Sequence, residues 1–182
     1  MDSQWQTCDP APVLVLGLGN ILLGDDGVGP TLLSQVSEVF SENVEVECMD
    51  GGTQGLALLG HISGRKALVL LDAFSEGRTP GEISVLAKSD ILRIRAAHGT
   101  TTHEGNAGEL LAAAQLIGDL PEQLFLIGVE PERLRTEIGL SPIVTAALPM
   151  ALVCASEIVE RALDVRTRWP SRLVGRGFAL GF

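Results

Sequence analysis

The sequence V-L-V-L-G-L-G-N-I-L-L-G-D-D-G-V-G, residues 13–29, decides the fold. Four apolar residues run into two glycines, and a polar cluster of Asn20, Asp25 and Asp26 follows. A short, partly β-branched apolar run that ends in glycine favours a strand over a helix. The stretch therefore predicts a buried strand, a tight loop and the start of a helix. Because open α/β sheets bind ligands at the carboxyl ends of their strands, the acids of this loop either cap the helix or carry chemistry.

Buried strands alternate with helical patterns along the rest of the chain. The strand pattern at 44–49 alternates apolar and charged residues and is expected near an edge of the sheet. No crossover helix precedes the strand at 82–86, which is expected to be antiparallel or at an edge. We predict an α/β protein, a single compact domain with a mostly parallel twisted sheet of about five strands and helices on both faces. The remaining predicted strands are 12–18, 67–71 and 124–129, and the predicted helices are 28–40, 107–117 and 142–163.

Shorter features complete this prediction. Thr53 is expected to cap a short helix that runs to about His61. One helical turn is expected at 90–95, and the stretch 98–106 is expected to be a loop. Pro149 predicts a kink in the last helix, because proline removes a hydrogen bond from a helix interior.

Composition narrows the class of protein. The chain has 182 residues, of which 46% are hydrophobic, and a mean hydropathy of +0.29, so a sizeable core is expected. No uninterrupted apolar run reaches the length of a membrane span, and no signal peptide is visible at the start, so we expect a cytoplasmic protein without membrane insertion. A net charge of −10 argues against a nucleic-acid partner. Three widely spaced cysteines do not form a disulfide framework.

The two ends of the chain differ from its middle. Residues 1–11 are predicted to be a polar N-terminal extension, and residues 12–163 the α/β domain. Residues 164–182 form an arginine-rich tail, with four arginines and one acid. A loosely docked end is the simpler interpretation of this tail, and a docking segment for an acidic partner is the alternative.

Two aspartates stand at strand ends that are expected to be neighbours. Asp26 follows the first strand, and Asp72 ends the third. If the second strand lies outside the first, the sheet has a switch point between strands one and three, and both acids flank one crevice. Two carboxylates in one crevice share a proton or hold a cation. The alternative is that each aspartate only caps a helix or a turn, and the sequence leaves both interpretations open.

A histidine could complete this set. His103 lies in a polar loop just before a helix, and His98, five residues earlier, is its rival. Asp26, Asp72 and His103 would offer two oxygens and one nitrogen with open positions, which suits a borderline divalent ion such as Ni, Zn or Mn. A solvated loop histidine is the simpler interpretation of His103 alone.

Other kinds of site are less well supported. A dinucleotide fingerprint needs G-x-G-x-x-G, and its third glycine is replaced by Leu22. No G-x-S-x-G elbow is present, and the local sequence puts no histidine beside Cys48.

These residues resemble those of the hydrogenase maturation endopeptidases, the proteases that trim the large-subunit precursor of nickel–iron hydrogenases. The resemblance covers about residues 13–163 and rests on five motifs in order. They are G-x-G-N-x-L-x-x-D-D-G-x-G at 17–29, D-G-G-T-x-G at 50–55, the strand that ends in Asp72-Ala73, I-G-V-x-P at 127–131 and I-G-L-S-P-x-V at 138–144. His103 ahead of a helix also fits the pattern.

The resemblance implies an activity and a set of roles. The family's nickel-contacting residues fall at Asp26, Asp72 and His103, which are the expected catalytic and metal-contacting residues. The expected function is a metal-dependent endopeptidase that removes the C-terminal extension of a nickel-loaded hydrogenase large-subunit precursor. The Ni²⁺ is then part of the substrate rather than a permanent cofactor. A metal-bound water, a metal-polarised carbonyl or an aspartate as general base, as in an aspartyl-type endopeptidase, could each drive cleavage. The alternative is a non-catalytic nickel-binding chaperone on the same fold.

Overall fold

A computed structural model describes residues 9–98 and 105–164. It contains one five-stranded sheet, in the order β2-β1-β3-β5-β4. The strands are β1 Val13–Leu18, β2 Val46–Gly52, β3 Ala67–Ala73, β4 Ile83–Ala87 and β5 Gln123–Val129. The helices are α1 Val28–Val39, α2 Leu59–Ile62, α3 Lys88–His98, α4 Gly105–Ile117 and α5 Pro142–Leu163, and two 3₁₀ turns lie at Asp25–Gly27 and Gly55–Leu58.

The sheet is parallel except for one edge strand. β1 pairs in parallel with β2 and β3, and β3 pairs in parallel with β5. β4 pairs antiparallel with β5. The predicted fold class, the outer position of β2 and the antiparallel edge strand are therefore confirmed. β2 is added on one side of β1 and β3 on the other, so the strand order reverses at β1 and β3, and this reversal creates the predicted switch point.

The central strands are buried on both faces, which explains their continuous apolar sequence. In β1, Val13 and Val15 face a core formed with α1 and α5. Leu14, Leu16 and Leu18 face a second core formed with α2, α3 and α4. Because successive side chains of a strand point to opposite faces, one uninterrupted apolar run supplies both layers.

Helix α5 is long and apolar enough to cross a membrane by length and composition. The expectation of no such segment counted only uninterrupted apolar runs, and α5 contains threonine, proline and serine. In the fold, one stripe of α5 packs into the core, including Val144, Leu148, Ala151, Ala155 and Val159. Length and composition alone are weak evidence for a membrane span, and 33% of the most apolar window of α5 is buried in the fold.

Several shorter predictions have different outcomes. Thr53 does not cap the following helix, because the 3₁₀ turn begins after Gln54 and has no side-chain cap. The single turn predicted at 90–95 is an eleven-residue helix, α3, which includes His98. Helix α5 begins as predicted, with the Ser141 side chain accepting a hydrogen bond from the Val144 amide at 3.3 Å. It continues through Pro149, where the kink stays a prediction.

The domain boundaries at 11 and 164 also stay predictions. Residues 1–8 and 165–182, which contain most of the two predicted end segments, lie outside the described residues.

Candidate active site at the switch point

Close packing of α1 on the sheet brings the loop acids to the switch point. A side chain at Gly29 would collide with the carbonyl oxygens of Leu18 in β1 and Leu71 in β3. Gly19 has a φ of 122°, and a side chain there would collide with the backbone of Asp26. The glycines thus allow the start of α1 to lie directly over β1 and β3, with the turn Asp25–Gly27 above the strand ends.

Asp26 does not cap the helix. The N-cap residue of α1 is Gly27, and it has no side-chain cap bond. The Asp26 carboxylate instead accepts a hydrogen bond from the Asn20 backbone amide at 2.7 Å, which closes the loop on itself. Asp26 is partly exposed. The capping alternative for this residue is wrong.

Asp72 is the next-to-last residue of β3. The residue is partly exposed, yet the protein atoms around its carboxyl group desolvate it. Two effects raise the pKa of Asp72 to about 7: burial, which is the larger, and the negative charge of Asp26. A hydrogen bond from the Ala73 amide lowers the pKa but does not outweigh them. Asp26 and Asp72 are therefore close enough to repel each other across the switch point, as predicted from their positions at strand ends.

Such a pair has two chemical uses. A carboxyl group that ionises near neutral pH can donate or accept a proton during a reaction. Alternatively, a cation between the two carboxylates removes their repulsion. Within residues 9–98 and 105–164, no three histidine, cysteine or acidic side chains are placed to hold a metal ion together. His103, the predicted third member, lies outside the described residues, and so does the side chain of its rival His98.

No pattern in the sequence distinguishes Asp25 from Asp26, although their environments in the structure differ. Asp25 is fully buried. Its carboxylate accepts hydrogen bonds from the backbone amides of Glu132 at 3.0 Å, Arg133 at 3.1 Å and Ser141 at 2.6 Å. Burial alone raises the pKa of Asp25, but the donors from Ser141, Arg133 and Glu132 outweigh it and lower the pKa below its ordinary value. Asp25 therefore joins the loop of the site to the segment 131–141 and to the start of α5.

A second buried acid, Glu130, is not among the site residues predicted from the sequence. Glu130 follows β5 and is 5% exposed. Its carboxylate accepts hydrogen bonds from the Ser75 hydroxyl at 3.0 Å and from the amides of Glu76 at 2.7 Å and Gly77 at 3.3 Å. Glu130 thus holds the loop that follows Asp72. The only signal in the sequence was its place as the variable residue in I-G-V-x-P.

The D-G-G-T motif has a conformational role in the structure. The Asp50 carboxylate accepts a hydrogen bond from the Gly52 amide at 2.9 Å, and Gly52 has a φ of 45°. The Gly52 carbonyl accepts a hydrogen bond from the Gly19 amide at 3.0 Å, which connects β2 to the loop of the site. A side chain at Gly51 would press against Leu18 at 2.8 Å. The glycines of this motif are therefore needed for the backbone conformation and for close packing.

The described cysteines are poor nucleophiles. Burial, and to a smaller extent the charge of Glu47, raises the pKa of the Cys48 thiol, while a hydrogen bond with the Ser37 side chain lowers it. Burial and then the charge of Glu157 raise the pKa of the Cys154 thiol. Since the thiolate is the reactive form, these shifts disfavour nucleophilic catalysis by either residue.

Sequence comparison connects this fold and site to known proteins. A sequence profile of the hydrogenase maturation proteases matches residues 30–158. The chain is 35% identical over 141 residues to the hydrogenase 2 maturation protease of Escherichia coli K12, covering 77% of this chain and 85% of that protein. It is also 35% identical over 144 residues to the hydrogenase expression/formation protein HupD of Rhodobacter capsulatus, covering 79% and 69%.

Solved structures agree with the sequence relatives. The hydrogenase maturating endopeptidase HybD from E. coli has a TM-score of 0.72 and 32% identity to this chain, covering 82% of this chain and 93% of that one. The NiFe hydrogenase maturation protease HybD from Thermococcus kodakarensis has a TM-score of 0.63 and 26% identity, covering 80% and 97%. The five-stranded α/β fold, the ordered motifs and these similarities lead to one conclusion: the chain belongs to the hydrogenase maturation protease family.

Proposed function

We propose that this endopeptidase removes a C-terminal extension from a nickel-loaded precursor of a nickel–iron hydrogenase large subunit. The endopeptidase activity follows from its family, whose members compared above are named as maturation proteases. Those names do not favour the alternative of a non-catalytic nickel chaperone. The nickel is part of the substrate in this proposal, and the cytoplasm, where the precursor would be met before assembly, is the proposed location.

One observation supports the position of the active site most strongly. Asp26 and Asp72 lie close enough at the β1–β3 switch point for the charge of one to affect the ionisation of the other. Two carboxylate oxygens there suit a divalent metal ion presented by a substrate. A metal ion in that position could polarise the scissile carbonyl or activate a water molecule, and an aspartate could act as the general base.

His103 is proposed as the third contact of the substrate's nickel. It lies two residues before α4 in the sequence, and α4 packs against the turn Gly55–Leu58 that follows β2. This packing supports a place for the beginning of α4 near the carboxyl edge of the parallel strands. An imidazole nitrogen would add a ligand of the type that nickel accepts.

The test is mass spectrometry of a purified large-subunit precursor, with and without nickel, after incubation with the protein. We expect loss of a C-terminal peptide only from the nickel-loaded precursor. Asp26→Asn, Asp72→Asn and His103→Ala should each abolish this processing. Asp119→Asn and His61→Ala are matched controls, because both residues precede strands at the opposite edge of the sheet, and both should process normally.

Two results would contradict the proposal. Cleavage that continues in both aspartate variants would refute the assignment of the site. A precursor that gains nickel in the presence of this protein but keeps its C-terminal peptide would instead support the chaperone function.

A further inference from the structure

Five large apolar side chains are exposed beside the proposed active site. Ile21, Leu22 and Leu23 are 59%, 53% and 36% exposed, and Leu134 and Ile138 are 53% and 85% exposed. We call these five residues the apolar rim. Single exposed apolar residues are common, but a cluster of this kind is typical of a binding surface.

The two loops that form the apolar rim are joined by backbone pairing. Leu23 forms a parallel bridge with Glu137, and Gly24 forms an antiparallel bridge with Leu134. The Gly24 amide donates to the Glu137 carbonyl at 2.8 Å, and the Glu137 amide donates to the Leu22 carbonyl at 3.1 Å. The bonds from the 131–141 segment to Asp25 hold the same two loops together from below. The exposed side chains therefore project from a fixed backbone, which lowers the entropy cost of binding a partner.

The charged groups among these residues are paired with each other. Arg133 forms ion pairs with Glu137 at 3.1 Å and Glu132 at 3.4 Å, and Arg135 pairs with Glu137 at 2.9 Å. Two arginines and two glutamates leave no net charge in this group. Although the whole chain is strongly acidic, this surface offers apolar contact without an excess of either sign. Its complement is an apolar segment with little charge.

The apolar rim is continuous with the proposed site. Ile21 follows Asn20, whose amide donates to the Asp26 carboxylate at 2.7 Å. Ile21 also packs on the turn of the site, since a side chain added at Gly27 would lie 3.0 Å from its Cα. A precursor whose metal reaches Asp26 would therefore lie next to this apolar surface.

We propose that the apolar rim is a docking surface for an apolar, weakly charged segment of the large-subunit precursor. The inference rests on the proposed function and adds a binding region outside the reacting groups. Contacts of this kind are equal in the bound substrate and the transition state, so they lower KM without changing kcat.

The experiment compares two double variants in the processing assay with the nickel-loaded precursor. Leu22→Ser combined with Ile138→Ser removes two side chains of the apolar rim without changing charge near Asp26. Val44→Ser combined with Leu116→Ser is the control, because these residues are 91% and 87% exposed and precede strands at the opposite edge of the sheet. We expect KM to rise at least about tenfold in the first variant, with kcat within about twofold of the parent, and both constants to be unchanged in the control.

A binding measurement separates docking from chemistry. The precursor is titrated by biolayer interferometry onto immobilised Asp26→Asn protein, with and without the Leu22→Ser and Ile138→Ser changes. The affinity should fall by a similar factor of about ten. The single variants and their thermal melts ensure that a change in folding is not mistaken for a change in docking.

The possible outcomes are distinct. If the parent protein does not cleave the cognate precursor, the proposed function fails and the docking surface fails with it. If the parent cleaves but KM and affinity are unchanged in the rim variant, or change equally in the control, only the docking surface is refuted. Conversion of a dimer to a monomer by the rim variant in sedimentation velocity would identify a second copy of the chain as the occupant and would also overturn the proposal.

Discussion

Replacement of Asp72 by asparagine should make the protein more stable, by an amount that grows with pH. Burial and the charge of Asp26 raise the pKa of Asp72 from its ordinary 3.8 to about 7. Between these pH values the unfolded chain has lost the Asp72 proton, whereas the folded protein keeps it. Raising the pH through this window therefore favours the unfolded state, and the loss of folding stability is complete above about pH 7. Asparagine has nearly the same shape and no proton to lose.

The magnitude follows from the same values. The difference between 3.8 and about 7 corresponds to about 4 kcal/mol, and the partial exposure of Asp72 reduces our expectation to about 2 kcal/mol. At about pH 5.5 only part of the destabilisation of the parent protein has developed. The difference in the free energy of unfolding between Asp72→Asn and the parent should therefore increase by about 1 kcal/mol between about pH 5.5 and pH 8. Both conditions lie above the isoelectric point of about 4.7, which favours solubility.

The assay is urea-induced unfolding of the parent and Asp72→Asn proteins at both pH values. Other titrating groups are common to the two proteins and cancel in the comparison, provided that the m-values agree. Asp26→Asn supplies a coupled control, because removing its charge removes one of the two causes of the raised pKa. In that background the effect of Asp72→Asn should be smaller. Parallel stabilities of the parent and Asp72→Asn across this pH range would refute the reasoning.

Two further predictions concern the framework of the site. Asp25→Ala should destabilise the protein by about 3 kcal/mol or more in urea unfolding, since one buried and two partly buried backbone hydrogen bonds lose their acceptor; a loss below about 1 kcal/mol would show that water replaces the carboxylate. Gly29→Ala should destabilise by more than about 3 kcal/mol, because the added methyl group collides with backbone oxygens of β1 and β3. Gly60→Ala in α2 is its control, with no atom within 4 Å of the added carbon, and should be neutral or slightly stabilising by the same assay. Equal melting temperatures for the two alanine variants would contradict the close packing of α1 on the sheet.

The proposed docking surface is also connected to the hydrogen bonds of the buried Asp25 carboxylate. Asp25 bonds to the segment 131–141 on the buried side, and the apolar rim lies on the exposed side of the same segment. The two adjacent acids of the loop therefore have different environments: Asp25 fixes the backbone of the proposed docking surface, while Asp26 is proposed to contact the reacting groups.

The sequence by itself determined the fold class, the buried central strands and the edge of the sheet at which a site is expected. A strand with a continuous apolar run, such as 67–71, is stable only when both of its faces are covered by helices. This requirement identifies the central strands without tertiary information. The glycines at 17–29 predict where the first strand ends and the loop turns, and the structure shows that Gly29 also allows a close approach of helix and sheet. Since parallel strands end at the same edge, the sequence predicts that Asp26 and Asp72 are neighbours if the second strand lies outside the first, and the observed strand order meets that condition.

Only the tertiary structure decided which contacts Asp25, Thr53 and Glu130 make. Asp25 and Asp26 have the same local sequence signal, and their separation depends on amides more than one hundred residues away. Threonine is a residue type that commonly caps helices. The 3₁₀ turn that follows Thr53 nevertheless begins after Gln54, and the Thr53 side chain does not cap it. The role of Glu130 depends on the loop 75–77, which no local pattern connects to it. Local sequence sets burial and turns, whereas hydrogen bonds between distant segments exist only once the chain has folded.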